Sequence, residues 1–179
     1  MNILYLLIAG TVASLTHAYL VWHHRANRRY SISEHAILDK KSHSLYLAAH
    51  IICEVFVILY AYQFFFIDLH LMTPFYLLVV FAILDFVQAL VPSRGKTERL
   101  HFAAAYVSWF SYILAGLIAL IQVPMSAPYA KLAGLLFLPI LGMFIYMHIN
   151  RSKLYPYQLL MVPLYTIMML VITIGAVRF

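Results

Sequence analysis

The segment Ser44–Phe66, SLYLAAHIICEVFVILYAYQFFF, is long and apolar enough to form a membrane-spanning helix. Such a helix needs about 20 consecutive, mostly apolar residues. This segment nevertheless contains His50 and Glu54. The two residues lie on one face of a helix, because side chains at positions i and i+4 project in the same direction. The segment therefore predicts a transmembrane helix with one polar face.

Five further segments have the same length and apolar character. The six predicted spans are Ile3–Trp22, Ser44–Phe66, Met72–Val91, Phe102–Ile121, Leu132–Ile149 and Tyr157–Val177. The whole chain is 65% hydrophobic and 10% charged, whereas soluble domains are about 45–50% apolar and about 25% charged. We therefore predict an all-α, polytopic membrane helix bundle with six transmembrane helices, forming a single domain over residues 1–179.

The basic residues predict the orientation of the bundle. Cytoplasmic loops of membrane proteins carry an excess of Lys and Arg. The first, third and fifth loops hold Arg25, Arg28, Arg29, Lys40, Lys41, Arg94, Lys96, Arg99, Arg151 and Lys153, which leaves only Lys131 and Arg178 for the other side. Both termini are therefore expected outside. Because the net charge of +6 is explained by these loops, nucleic acid is excluded as a partner.

The long first loop contains a helix start signal. Ser31 and Glu34 have the spacing of a capping box, in which each side chain accepts a hydrogen bond from the other residue's backbone N–H. This spacing predicts a helix that begins near Ile32 and continues into the second span.

Polar residues in the spans are concentrated towards one side. With the predicted orientation, His17, His50, Asp85, Gln88, His101 and His148 fall in the cytoplasmic half, and Glu54 lies near mid-membrane. The outer half contains almost no ionisable group. This distribution predicts a polar cavity that opens to the cytoplasm and is closed at the outer side.

Energetics place the two membrane carboxylates inside the bundle. A carboxylate at the centre of a membrane helix costs about 2.5–3.5 kcal/mol. Glu54 and Asp85 should therefore avoid lipid, and Glu54 should be protonated or paired with His50 or with a bound cation. Asp85 and His101 lie on consecutive spans, so we expect them to approach to hydrogen-bonding or water-bridged distance, about 3–6 Å.

The same residues leave several kinds of site open. His50 and Glu54 form a usable pair of metal ligands, although the pair also fits a structural role between packed helices. Haem could be held between His17 and His50, or between His50 and His101, if each pair faced one another at the same depth. The sequence identifies no cofactor.

One segment carries a resemblance to a known superfamily. Leu84–Trp109, LDFVQALVPSRGKTERLHFAAAYVSW, combines an acidic third span, a basic turn with a proline, and a histidine opening the fourth span. It resembles the six-span superfamily of DRAM-like and FGF-receptor-activating-protein-like membrane proteins, over spans three and four. The resemblance implies that Asp85 and His101 occupy family-like positions. It also implies a role in lipid handling and a location in a bacterial cytoplasmic membrane.

These observations predict a membrane protein that binds a lipid or a small polar ligand. The candidate ligand-binding residues are His17, His50, Glu54, Asp85, Gln88, Arg94, Arg99 and His101. Arg94, Arg99 and Arg151 at the rim would attract an anionic head group. The alternative is a membrane-embedded enzyme, or a metal or haem protein, with His50, Glu54, Asp85 and His101 as candidate catalytic residues. A proton-coupled carrier is less favoured, because nothing polar lines the outer half.

Overall fold

The computed structural model describes residues 2–25, 30–91, 93, 95–149 and 154–177. The helices are α1 (Asn2–His23), α2 (Ile32–Ala36), α3 (Lys40–Ala61), α4 (Met72–Leu90), α5 (Glu98–Gln122), α6 (Ala127–Ile149) and α7 (Leu154–Gly175). A π-helical segment, Tyr62–Asp68, extends α3, and a 3₁₀ turn, Gly95–Thr97, precedes α5. Within the described residues, the only strand-like pairing is an isolated bridge between Met125 and Ala176.

Six of these helices are long and apolar enough to cross a membrane. They are α1, α3 with its π-helical extension, α4, α5 with its preceding turn, α6 and α7. The predicted all-α, six-span architecture is therefore confirmed, and it indicates a multi-pass integral membrane protein. The orientation, with both termini outside, rests on the distribution of basic residues and stays a prediction.

The first loop begins a helix where the sequence predicts one. Ser31 Oγ accepts a hydrogen bond from the Glu34 backbone N–H at 3.3 Å, and a Glu34 carboxylate oxygen accepts one from the Ser31 N–H at 2.7 Å. The capping box that starts α2 is therefore confirmed.

The prediction that this helix continues into the second span is wrong. Asp39 has an extended backbone and caps a new helix, α3, by accepting the Ser42 N–H at 2.8 Å. An N-cap residue has non-helical backbone angles. Asp39, which starts α3, therefore also separates α3 from α2. Hydrogen bonds from the backbone and side chain of Ser42 hold the pKa of the Asp39 carboxyl below its usual value.

The short helix α2 lies across the end of the bundle that is predicted to be cytoplasmic. The Ile32 backbone N–H donates to Gln158 Oε1 of α7 at 3.0 Å. Ser33 Oγ lies 3.1 Å from His101 Nε2 of α5. Ile32 is itself buried. These contacts attach α2 to two of the membrane helices, so this end of the bundle is covered.

His35 secures α2 from within. Its side chain is fully buried, with ring centroids 5.7 Å from those of Tyr30 and Tyr155. His35 Nδ1 lies 2.8 Å from the Ser31 carbonyl oxygen, to which its N–H donates. Burial lowers the pKa of His35 below its usual value. The residue is therefore neutral at pH 7, as a hydrogen-bonded buried imidazole should be.

The half of the bundle that is predicted to face outward is a continuous apolar core. Its largest fully buried side chains are Tyr60, Phe64, Phe65, Leu78, Tyr165, Met168 and Ile172. The phenol groups are satisfied locally, because Tyr60 Oη lies 2.8 Å from Thr173 Oγ1 and Tyr165 Oη donates to the Tyr112 carbonyl at 2.7 Å. This core fills the end of the bundle opposite to α2.

Candidate functional site in the membrane interior

The centre of the site is an imidazole between two carboxylates. His50 Nδ1 lies 2.7 Å from Asp85 Oδ2 of α4 and 3.6 Å from Glu54 Oε1, one turn along α3. All three residues are buried, with exposed fractions of 7%, 7% and 5% for His50, Glu54 and Asp85. We call these three residues the acidic cluster. The polar face predicted for the second span therefore points into the bundle.

Two neighbours hold Asp85 in place. Gln88 Nε2 donates to Asp85 Oδ1 from one turn further along α4. Ser108 of α5 approaches the same oxygen at 3.5 Å and the Phe81 carbonyl at 3.4 Å. Ser108 is therefore a packing and positioning residue between α4 and α5, which is the usual role of small polar residues in membrane helices.

His17 of α1 and Tyr46 of α3 complete the polar end of the site. The ring centroids of His17 and His50 are 6.1 Å apart, and the Tyr46 ring lies 4.2 Å from that of His50. Among the described residues, His17 Nδ1, His50 Nε2 and Glu54 Oε2 are buried atoms of the site with no hydrogen-bond partner. These unpaired atoms show that the hydrogen-bonding capacity of the site is not exhausted by the protein.

His101 is connected to the site through Gln88. Its Nδ1 lies 2.9 Å from the Gln88 carbonyl oxygen and 2.7 Å from that of Val91. The proton is therefore on Nδ1, and Nε2 accepts from Ser33 Oγ. The structure links His101 to Asp85 through Gln88, and the predicted water-bridged approach of the two residues stays a prediction. Both ring nitrogens of His101 are thus occupied in joining α5 to α4 and α2.

The acidic cluster borders an internal cavity of about 140 Å³. The lining includes all the candidate residues that are described except Arg99, namely His17, His50, Glu54, Asp85, Gln88 and His101. Apolar and aromatic side chains, among them Phe81, Trp109 and Tyr112, form the remaining wall. The cavity therefore has one polar end and one apolar side, as pockets for small molecules commonly do.

The cavity reaches the surface at the side of the bundle. Among its lining residues only Tyr106 of α5 and His148 of α6 are exposed, and their rings lie 4.9 Å apart. Phe102, Trp109 and Phe144 next to them are half-buried. Packing between α5 and α6 is sparse, whereas α5 packs closely on α4. We call the gap lined by these five residues the side opening. An opening to the cytoplasm, expected from the sequence, stays a prediction, because the loops at that end are only partly within the described residues.

The predicted basic rim is only partly within the described residues. Arg99 is exposed at the start of α5 and does not line the cavity. Arg94 and Arg151 lie outside the described residues. Contact between these arginines and an anionic head group stays a prediction.

The two histidine pairs considered for haem do not suit it. His101 has both ring nitrogens engaged, so it offers no lone pair to an iron opposite His50. The Tyr46 ring packs against the rings of both His17 and His50. The donors of the acidic cluster itself suit a single metal ion far better, because imidazole and carboxylate are common ligands of divalent metals.

Comparisons with known proteins give no match. No family model matches the chain, and no curated protein or solved structure is significantly similar to it. The resemblance to the DRAM-like superfamily therefore stays a prediction.

Proposed function

We propose that the chain is an integral membrane protein that binds an amphiphile, such as a lipid, by admitting its polar head to the cavity from the side. The observation that carries this proposal is the position of the side opening. Tyr106 and His148 are the exposed lining residues, and both lie on helices apolar enough to face lipid. A ligand that enters between α5 and α6 comes from the membrane.

The two ends of the bundle support the same route. The outer end is filled by the aromatic core around Tyr60 and Tyr165. The cytoplasmic end is covered by α2, through the contacts of Ile32 and Ser33. Access through the side is therefore less obstructed than access along the axis of the bundle.

The chemistry of the cavity defines the head group that fits. Among the described lining residues, Glu54 and Asp85 are acidic and none is Lys or Arg. Carboxylates accept hydrogen bonds and offer none when ionised. The head group that suits this end therefore carries hydroxyl or amine donors. The apolar wall near Trp109 and Phe102 then contacts the first part of the attached chain.

Blocking the side opening is expected to abolish capture of the head group. Ala105 of α5 is half-buried and lines the cavity, so an indole in Ala105→Trp would fill the entrance. Purified protein in nanodiscs would be photolysed with an ethanolamine phospholipid that carries a diazirine on its head group. We expect cross-linked peptides at the cavity in the parent protein and a several-fold loss of them in the variant.

Ala103→Trp provides the matched control. Ala103 is exposed on the same helix and does not line the cavity. Ala103→Trp adds the same side chain to α5 at a position outside the described cavity lining, so capture should be retained. Equal capture by Ala105→Trp and the parent protein, or cross-links confined to the outer ends of the helices, would contradict the proposed function.

A further inference from the structure

We propose that His50, Glu54 and Asp85 bind one divalent transition-metal ion, such as Zn²⁺. One ligand atom from each residue of the acidic cluster can be chosen so that all three atoms lie within 4.8 Å of one another. A tetrahedral Zn²⁺ with ligand bonds of about 2.0–2.2 Å holds its donor atoms about 3.3–3.5 Å apart. The separations of 2.7 Å and 3.6 Å from His50 Nδ1 lie on either side of that value.

Charge balance favours an ion at this position. Two ionised carboxylates inside a membrane bundle are costly unless an opposite charge accompanies them. A divalent cation cancels the charges of Glu54 and Asp85, and a neutral imidazole completes the coordination without adding charge. His50 Nδ1 is the nitrogen that faces both carboxylates, so it is the atom placed to share an ion with them.

The unpaired atoms give independent support for a ligand. Glu54 Oε2 and His17 Nδ1 have no hydrogen-bond partner among the described residues. Their side chains belong to residues that are only 7% and 8% exposed. Buried polar atoms in proteins nearly always have a partner. An ion held by the acidic cluster would supply the missing partner to Glu54 Oε2.

The neighbouring residues suit a supporting role. Gln88 and Ser108 bond the Asp85 carboxylate, and such contacts orient ligands and raise metal affinity. The inference rests on the proposed function to this extent: the metal site lies in the same cavity, where a hydroxyl or amine head group could complete the coordination. Metal binding does not itself require that an amphiphile be present.

The test is metal binding by the purified, full-length protein in detergent. The protein would be stripped with a chelator and titrated with Zn²⁺ or Co²⁺ salts alone. We expect one tight site per chain and the visible absorption of four-coordinate Co²⁺. Glu54→Gln and Asp85→Asn preserve side-chain shape, so they should keep the fold. Loss of a residue that only orients a ligand lowers metal affinity about 10–100-fold. Each of these variants removes a direct ligand, so each should lower the affinity by more than that.

A second group of donors in the chain provides the control. His24 Nε2 lies 3.2 Å from Asp39 Oδ2, and with His23 they could also attract an ion. The double variant His24→Gln/Asp39→Asn retains a capping residue for α3 and should bind metal as the parent does. Loss of binding in this variant, or equal affinity in Glu54→Gln and the parent, would overturn the inference.

The two proposals can fail separately. Lipid capture at the cavity by protein that binds no metal would refute the metal site and leave the proposed function standing. Tight metal binding that Glu54→Gln removes, in protein that captures no lipid, would refute the proposed function and leave the metal site standing.

Discussion

Replacing His50 with leucine is expected to destabilise the metal-free protein by about 3–5 kcal/mol, the range found when one partner of a buried ion pair is removed. The substitution leaves Glu54 and Asp85 in the bundle interior without the imidazole that lies 2.7 Å from Asp85. Leucine has nearly the same volume, so lost packing contributes little. Unfolding in mixed micelles, followed by circular dichroism, measures the change.

A second substitution separates charge from packing at this position. Asp85→Asn in the His50→Leu background removes one of the stranded carboxylates, while its amide can still hydrogen-bond Ser108. Much of the lost stability should therefore return, because the penalty comes from an unpaired buried charge. If the double variant is less stable than His50→Leu alone, the imidazole does not serve to compensate Asp85.

Gly10→Leu is expected to be the most damaging apolar substitution in α1. A Cβ added at Gly10 would lie 3.0 Å from the Cβ of Thr166 in α7 and would overlap the rest of that side chain. Overpacking of this kind costs about 1–3 kcal/mol and occasionally more. The Thr166 hydroxyl also bonds the Val162 carbonyl at 2.9 Å, so it cannot rotate away without losing that bond. Thermal unfolding in detergent measures the loss.

Gly142→Ala is the matched control for the close approach at Gly10. Among the residues that the structure describes, no atom lies within 4 Å of a Cβ added at Gly142, and alanine is favoured over glycine in a helix by about 1 kcal/mol. Its melting temperature should therefore equal or exceed that of the parent protein. A Gly10→Leu protein as stable as Gly142→Ala would show that α1 and α7 do not pack closely.

The architecture could be predicted because membrane helices are encoded locally. Each span needs only its own apolar residues, so hydropathy and length place six helices correctly. The inward direction of Glu54 follows from the cost of exposing a carboxylate to lipid. The i, i+4 spacing then places His50 on the same face. These are properties of single helices, and no knowledge of their neighbours is required.

The arrangement between helices could not be predicted in the same way. That Asp85 meets His50, while His101 is occupied by the Gln88 carbonyl, depends on the rotation of α4 and α5 about their axes. The break between α2 and α3 depends on Asp39 acting as the N-cap of α3. The same residue could instead lie inside one continuous helix, and the local sequence does not decide between the two. The side opening depends on the sparse packing of α5 on α6. Each of these features depends either on contacts between helices that are distant in sequence or on a choice between two local structures.

The most direct test of the central claim is a density map of the protein in lipid nanodiscs. The account predicts elongated non-protein density that enters between α5 and α6 beside Tyr106 and His148 and ends at the acidic cluster of His50, Glu54 and Asp85. A map in which α5 and α6 pack tightly against each other, with no non-protein density in the cavity, would contradict it.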